Sequence, residues 1–300
     1  GRTPFTIQRE HLNRRTQAMD VKRAGTAGFC MGVSLALHKL EMAIEANGSG
    51  GSALRRICTY GPIIHNPQVL ASYEARGVVC LKSVDGARAG DTVLIRAHGV
   101  PMQAEATLRE SGAEIIDATC PRVKKAQLAI ANSTASGSSL LLFGDADHPE
   151  VRGLISYARG KSLVFASLEE LTALESWVLA SQTTQDASEF ARIREYLEGR
   201  LPRLEVLATI CDATGERQEE ARSIASGVEA MVIVGGHQSG NTKRLAALSA
   251  ECGIATYHVE SASELRAVDF RNVRSVGLTA GASTPKNLID EAEEWLKRLP

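Results

Sequence analysis

The chain carries six cysteines, at positions 30, 58, 80, 120, 211 and 252, yet no two are close enough to make a C-x-x-C pair. That spacing excludes zinc fingers and the clustered cysteine runs of bacterial ferredoxins. A disulfide framework does not suit a chain of 300 residues with cytosolic character. Excess charge of either sign is missing too: 34 basic side chains stand against 35 acidic ones, a net charge of −1. The sequence therefore offers no basic nucleic-acid surface and no polybasic membrane patch. No apolar run approaches the roughly 18–20 residues of a membrane span. Aromatic residues make up only 4% of the chain. The glycine and aliphatic residues that dominate instead are α/β composition, with many strand-to-helix turns. The length exceeds one ordinary core and fits two or three domains.

The first eighteen residues, GRTPFTIQREHLNRRTQA, lack the apolar stretch of a secretory signal. They are rich in Arg and poor in acid, a weak likeness to a transit peptide. The plainer reading is an expression scar or an upstream extension, with Met19 as the natural start. Residues 1–18 are accordingly expected to lie outside the fold.

Three cysteines share a context. Cys30 ends GTAGFC and precedes MGVSLALHKLEMAIEA; Cys120 ends EIIDATC and precedes PRVKKAQLAIAN; Cys211 ends EVLATIC and precedes DATGERQEEARSIAS. Each thiol falls between a strand-like segment and an amphipathic helical pattern. The intervals between them are 90 and 91 residues. Pro121 suits the first turn of a helix, where its missing N–H costs nothing. A thiol at a helix N-terminus meets unpaired N–H groups and the positive end of the dipole, which predicts a thiolate.

The period of about ninety recurs at other loops. Some thirty residues after each cysteine an apolar run ends in a His-containing loop: TYGPIIHNP with His65, LLLFGDADHPE with His148 and MVIVGGHQSGN with His237. A third junction follows in each unit, at TVLIRAHGV with His98, WVLASQTTQ with Thr183 and VGLTAGASTP with Ser283. This internal triplication is too long in period for a solenoid. It predicts three similar α/β units, residues 19–119, 120–210 and 211–300. Ligands of such sheets sit outside the carboxyl ends of the strands, where all nine junctions lie. Units that face one another would bring the three thiols to a common centre. A single cysteine at a strand end is more often a small buried hydrophobe, but three in register reverse that preference. Cys58, Cys80 and Cys252 lack the pattern and are assigned to packing.

Three thiolates can bind zinc with one open position, or three irons of a cubane iron–sulfur cluster with the fourth iron free. Spacing does not choose between them. The loops carry His65 and Asn66, His98, His148 and Glu150, Thr183, Ser239 and Asn241, and Ser283. This ring of neutral or switchable hydrogen-bond donors, with one prominent carboxylate, suits a small, highly anionic ligand such as a diphosphate. Taken singly, each has a plainer reading: a His after a strand is commonly a turn residue, and Ser or Asn before a helix is usually a cap. The stretch GGHQSGNT, from Gly235 to Thr242, has the two glycines and the Thr of a phosphate-binding P-loop. Asn241 stands where that motif needs Lys, so an NTPase is not indicated.

Read in order from about Val21 to the end, AGFCMGV, GPIIHNPQV, RAHGV, DATCPRVKK, DHPEV, SQTT, TICDAT with RQEE, QSGNTKRL and TAGASTP resemble the 4-hydroxy-3-methylbut-2-enyl diphosphate reductase family, which serves the last step of the non-mevalonate isoprenoid route. The resemblance implies an α/β fold of three similar units in a pseudo-three-fold arrangement around a central [4Fe-4S] iron–sulfur cluster, held by Cys30, Cys120 and Cys211. It implies that the free iron binds the allylic hydroxyl, that two electrons and protons remove it as water, and that isopentenyl and dimethylallyl diphosphate are formed. Ferredoxin or flavodoxin would be the electron donor, and the cytoplasm the location, with neither nucleic acid nor membrane as a partner. By position, His65, His98, His148, Ser239, Asn241 and Ser283 match diphosphate-binding residues. Glu150 matches the proton-delivering acid, and Thr183 a substrate-side hydroxyl that helps relay the proton. Gly240 stands where the family often has a second Ser; a backbone N–H survives there and a hydroxyl is lost. Two other readings compete. Another three-cysteine cluster enzyme on a triplicated scaffold, such as quinolinate synthase, would leave HPE, SQTT and GASTP unexplained together. A non-catalytic metal-binding protein would lack an exchangeable fourth iron.

Overall fold

The computed structural model describes residues 18–49, 54–171 and 177–299. Of the leading segment expected to lie outside the fold, residues 1–17 are outside the described residues. The described chain forms three four-stranded sheets, all parallel. Parallel strands are covered by helices on both faces and read as near-continuous apolar runs. Thr92–Ile95 (TVLI) and Ala230–Val234 (AMVIV) are such runs, buried at every position. Alternate residues serve opposite faces: Leu140 and Leu142 pack in one core cluster, while Leu141 and Phe143 pack in another.

The first sheet contains β2 (Ile57–Tyr60), β3 (Val79–Leu81), β4 (Thr92–Ile95) and β5 (Glu114–Asp117), in the order β3-β2-β4-β5. The second contains β6 (Ser139–Phe143), β7 (Ser162–Phe165), β8 (Trp177–Ser181) and β9 (Glu205–Val206), in the order β7-β6-β8-β9. The third contains β10 (Ala230–Val234), β11 (Ala255–Val259), β12 (Ser275–Ala280) and β1 (Asp20–Arg23), in the order β1-β12-β10-β11. The three orders are the same, with β1 taking the place that β5 and β9 hold. The first unit was expected to begin at residue 19. Its opening strand instead pairs with β12, Asp20 opposite Ser275 through Arg23 opposite Leu278. The physical reason is an unfilled edge on β12: β5 and β9 cover the matching edges of β4 and β8, and only β1 is left to cover this one.

Helices α2 (Pro67–Ala75), α3 (Met102–Glu110), α5 (Pro149–Ile155), α6 (Ala187–Glu198), α8 (Gly240–Ala250) and α9 (Lys286–Lys297) follow inner strands within a unit. The remaining three, α1 (Met31–Ser49), α4 (Pro121–Ser133) and α7 (Asp212–Ala225), each lead from the last strand of one sheet to the first strand of the next. Cys30 immediately precedes α1, and Cys120 and Cys211 occupy the N-cap positions of α4 and α7. The thiols therefore sit at the three crossings between units. None of the helices among the described residues is long and apolar enough to cross a membrane.

Candidate active site

The cysteine backbones are fixed by one hydrogen bond repeated three times. The N–H of Cys120 donates to Ala97 O at 2.9 Å, that of Cys211 to Thr183 O at 2.9 Å, and that of Cys30 to Ala282 O at 3.1 Å. The acceptors lie in the loops after β4, β8 and β12, beside or at His98, Thr183 and Ser283. Each unit's polar loop thus ties down the thiol that opens the next unit, by the same bond. The ninety-residue repeat is a repeat of this arrangement.

One cavity of about 100 Å³ receives the twelve residues that the family resemblance marks: Cys30, Cys120 and Cys211; His65, His98 and His148; Glu150 and Thr183; Ser239, Gly240, Asn241 and Ser283. That is several times the room a single buried water needs. Asn66, grouped with them in the sequence, instead caps α2 by accepting Val69 N–H at 3.0 Å. His237 was in register with His65 and His148 but does not join them. It is exposed, 3.4 Å from Glu264, with its ring 4.6 Å from that of His258. Ser239 and Asn241, at the N-cap and in the first turn of α8, take the cavity position. Among the other cysteines, Cys58 is buried and Cys80 is half-buried, but Cys252 is exposed at the end of α8. Its assignment to packing is therefore corrected.

The thiol pole is built for close approach. A Cβ on Gly32, in the first turn of α1, would lie 2.6 Å from Cys120 Sγ and 2.9 Å from its Cβ. Val33 N–H points at Cys30 Sγ at 3.5 Å. The Cys120 thiol does not follow the expectation from its helix terminus. Burial pushes it up, and the N–H groups of Arg122 and Val123 only partly offset this, while Cys30 and Cys211 add to it. A thiolate at Cys120 is unfavourable in the bare cavity and calls for a positive partner.

A second group, the donor pole, is a set of donors without partners. His65 Nε2, His98 Nδ1 and Asn241 Nδ2 are buried and unbonded. Each such group costs about 1–3 kcal/mol when left unsatisfied, and three at one cavity wall point to a ligand of acceptor character. The ring centroids of His65, His98 and His148 lie 4.6, 5.5 and 5.4 Å apart. Their nitrogens come within 4.8 Å of one another, a spacing that would also hold a metal ion. His148 decides against that. Its Nδ1 caps α5 by accepting Glu150 N–H at 3.1 Å, so its neutral ring carries the proton on Nε2 and presents a donor rather than a lone pair. Ser239 likewise caps α8, accepting Thr242 N–H at 3.3 Å, and keeps its hydroxyl proton free. Ser283 spends its proton on His65 O at 2.9 Å. The cap reading holds for His148 and Ser239, and the cap leaves each with a donor to spare.

Burial lowers His65 and His148 to about 4, and drives His98 well below the usual histidine range; the charge of Arg96 adds to each shift. The rings are largely walled by protein, and all three line the cavity. The sign of the resulting pH effect follows from linkage. Between about pH 6.5 and 4 the unfolded chain binds protons that the folded, ligand-free chain refuses. Stability is complete above pH 6.5 and falls as pH drops toward 4. The melting temperature of the ligand-free protein should decline through this window, and less steeply in His65→Gln. Added pyrophosphate should flatten the decline, since a bound anion favours the protonated ring. An equal decline with and without pyrophosphate would contradict this account of the donor pole.

Glu150 lines the same cavity. It is 2% exposed; Oε1 accepts Thr183 N–H at 2.6 Å, and the Thr183 hydroxyl also bonds the carboxylate. Burial pushes its pKa up, more than these hydrogen bonds pull it down. A carboxyl whose pKa is raised by burial, next to a hydroxyl, is suited to give a proton. Thr183 therefore contacts the acid through its N–H and holds Cys211 through its C=O. At Gly240 a Cβ would stand 2.9 Å from Arg244 Nη1, a nitrogen that is itself buried without a partner. The space a serine hydroxyl would use is bordered here by a guanidinium, which also donates to Gln185 Oε1 and Asp145 Oδ2, both at 2.8 Å.

The sequence reading missed Gly32, Thr184, Arg122 and Arg217, all of which line the cavity. Arg217 left one signal, its place in the RQEE run that follows TICDAT.

Three parallel-sheet units directing nine strand ends into one buried cavity, with thiols and anion donors gathered there, define an α/β enzyme whose active site lies between its units. Comparison with known proteins agrees. The family model described as LytB protein matches residues 21–297, and the chain belongs to that family and is a reductase. The 4-hydroxy-3-methylbut-2-enyl diphosphate reductase of Desulfovibrio desulfuricans is 60% identical over 286 residues, covering 94% of this chain and 100% of the relative. That of Geotalea daltonii is 44% identical over 285 residues, covering 94% and 98%. A solved structure of (E)-4-hydroxy-3-methyl-but-2-enyl diphosphate reductase, the terminal enzyme of the non-mevalonate pathway, aligns with 38% identity and a TM-score of 0.66 over 93% of this chain and 99% of that one. The Plasmodium falciparum reductase structure, at 24% identity, a TM-score of 0.87 and coverage of 94% and 89%, shares the fold.

Proposed function

We propose that the protein reduces 4-hydroxy-3-methylbut-2-enyl diphosphate to isopentenyl and dimethylallyl diphosphate, with a [4Fe-4S] cluster held by Cys30, Cys120 and Cys211. The observation that carries this reading is what one cavity gathers: three free thiols, a histidine cluster with unpartnered nitrogens, and a buried acid bonded both to His148, by its N–H, and, through Thr183, toward Cys211. The donor set fits such a cluster. Three thiols are supplied, with no fourth among the described lining residues, and Gly32 leaves room beside Cys120. In the reaction the allylic C–O bond breaks, two electrons and two protons enter, and one water leaves. Bound at the thiol pole, the cluster supplies electrons and a Lewis acid, which no side chain here can.

The side chains do the rest. His65, His98, His148, Ser239 and Asn241 bind the diphosphate, helped by the backbone N–H at Gly240 and by Ser283 once its hydroxyl turns from His65 O, and so hold the allylic alcohol by the thiols. Glu150 gives the departing oxygen its proton, with the Thr183 hydroxyl as relay. Closure by three sheets excludes bulk water from the acid. We assign the unit boundaries near residues 119 and 210, with residues 20–23 lent to the third sheet. A cytoplasmic location and ferredoxin or flavodoxin as electron donor complete the reading; six free cysteines support a reducing compartment.

Anaerobic purification, an iron and sulfide count and a visible spectrum test the cluster. About four irons and four sulfides per chain with a broad absorbance are expected; one zinc without sulfide would replace this reading with a three-thiolate zinc site. Gly32→Ala offers a finer check. Its Cβ cannot share space with the Cys120 side chain, so the folded variant should keep its secondary structure and lose most of its iron. Full iron content in Gly32→Ala would mean that the approach of α1 to Cys120 is not required.

A further inference from the structure

Arg217 is 4% exposed on α7, an uncommon depth for a guanidinium. It lines the cavity together with the three cysteines. Nη1 donates to Ala280 O at 2.8 Å, at the end of β12. Among the described residues it has no ion pair. The carboxylate that acts on it, Glu220, is occupied elsewhere, accepting from Gly25 N at 2.8 Å and from Thr26 N and Oγ1 at 2.9 and 2.5 Å. Burial works against the charge of Arg217, and the groups that sustain it are Cys30, Glu220 and Cys211. A buried cation is retained in a fold when an anion completes it. In this cavity the missing anion belongs at the thiol pole.

We propose that Arg217 is the fixed counter-charge of the group held by Cys30, Cys120 and Cys211, and that it sets how readily that group accepts an electron. The proposal rests on the reading of these cysteines as cluster holders. Cluster potentials follow net charge, hydrogen bonds and solvent exposure. A permanent positive charge in a dry cavity favours the form with one more electron. Arg217 cannot lose its proton at any working pH, so it contributes the same bias throughout. Removing it disfavours the reduced form while leaving the three ligands in place.

The test uses the anaerobic, cluster-loaded protein, followed by visible and electron paramagnetic resonance spectra during a redox titration. Arg217→Lys keeps the charge and should titrate close to the wild type. Arg217→Gln should shift the one-electron equilibrium at least tenfold toward the oxidised form, about 59 mV lower. The same midpoint in wild type and Arg217→Gln, both with a full iron count, would overturn the proposal. A wild type without a cluster would instead overturn the reading beneath it, and the iron count separates these two failures. Melting of the iron-stripped full chain gives a second readout, independent of loading. There the guanidinium lacks its partner, so Arg217→Met should melt no lower than wild type. A large drop in that form would show that Arg217 serves the fold through Ala280, and would overturn the counter-charge role. If Arg217→Gln cannot hold iron while Arg217→Lys can, and the stripped forms melt alike, the charge itself is required, as proposed.

Discussion

Replacing Cys120 by serine should remove the broad visible absorbance and all measurable turnover, and Cys30→Ser and Cys211→Ser should do the same. The expectation comes from the number of ligands. A cluster held by three protein thiolates has no spare protein ligand, and the described residues place no fourth thiol in the cavity. A serine hydroxyl keeps size but is a poor ligand for iron, because the thiolate is the form that binds. Cys120 is also closely packed, against Gly32 and at the N-cap of α4. Cys252→Ser, on the exposed end of α8, should leave spectrum and rate unchanged. Iron content and single-turnover rate measure both. A full cluster in Cys120→Ser would contradict the three-fold arrangement.

Glu150→Gln should cut single-turnover reduction by at least about a hundredfold, with the cluster and substrate affinity retained. One positioned acid typically contributes 10²–10⁴-fold, and hydroxide without a proton is a poor leaving group. Glutamine preserves the size and can still accept the Thr183 N–H now bonded to Oε1 at 2.6 Å. It cannot give a proton. A plainer role for Glu150 exists, since an acid in the first turn of α5 favours the helix. That role predicts a lower melting temperature and an unchanged rate in Glu150→Gln, the reverse of the expectation here. Near-normal turnover with a full cluster and ample reductant would remove Glu150 from the reaction.

Most of the architecture was legible because two short-range signals repeat at one period: an apolar run that closes a strand, and a polar residue or thiol that opens the next helix. Both signals are local, so Cys30, Cys120, Cys211 and the loops after β2, β4, β6 and β8 could be placed from the chain alone. The pairing of β1 with β12 could not. Residues 20–23 and 275–278 are far apart in sequence, and the unfilled edge of β12 exists only once the third sheet is built. His237 shows the limit of register arguments: it keeps the interval, but the turn directs it to Glu264 and His258. Arg217 was hidden for another reason. Inside GERQEE a basic residue reads as part of a solvated helix face, and its depth depends on β12 packing across α7. The acidity of Cys120 was misjudged from its helix terminus because burial, a tertiary property, has the larger effect.

The most direct test of the central claim is a single-turnover assay with the anaerobically purified, cluster-loaded protein, reduced beforehand and mixed with 4-hydroxy-3-methylbut-2-enyl diphosphate. The account predicts that the alcohol disappears and that isopentenyl and dimethylallyl diphosphate take its place with the diphosphate intact. Unchanged alcohol in the presence of a full, reduced cluster would contradict it.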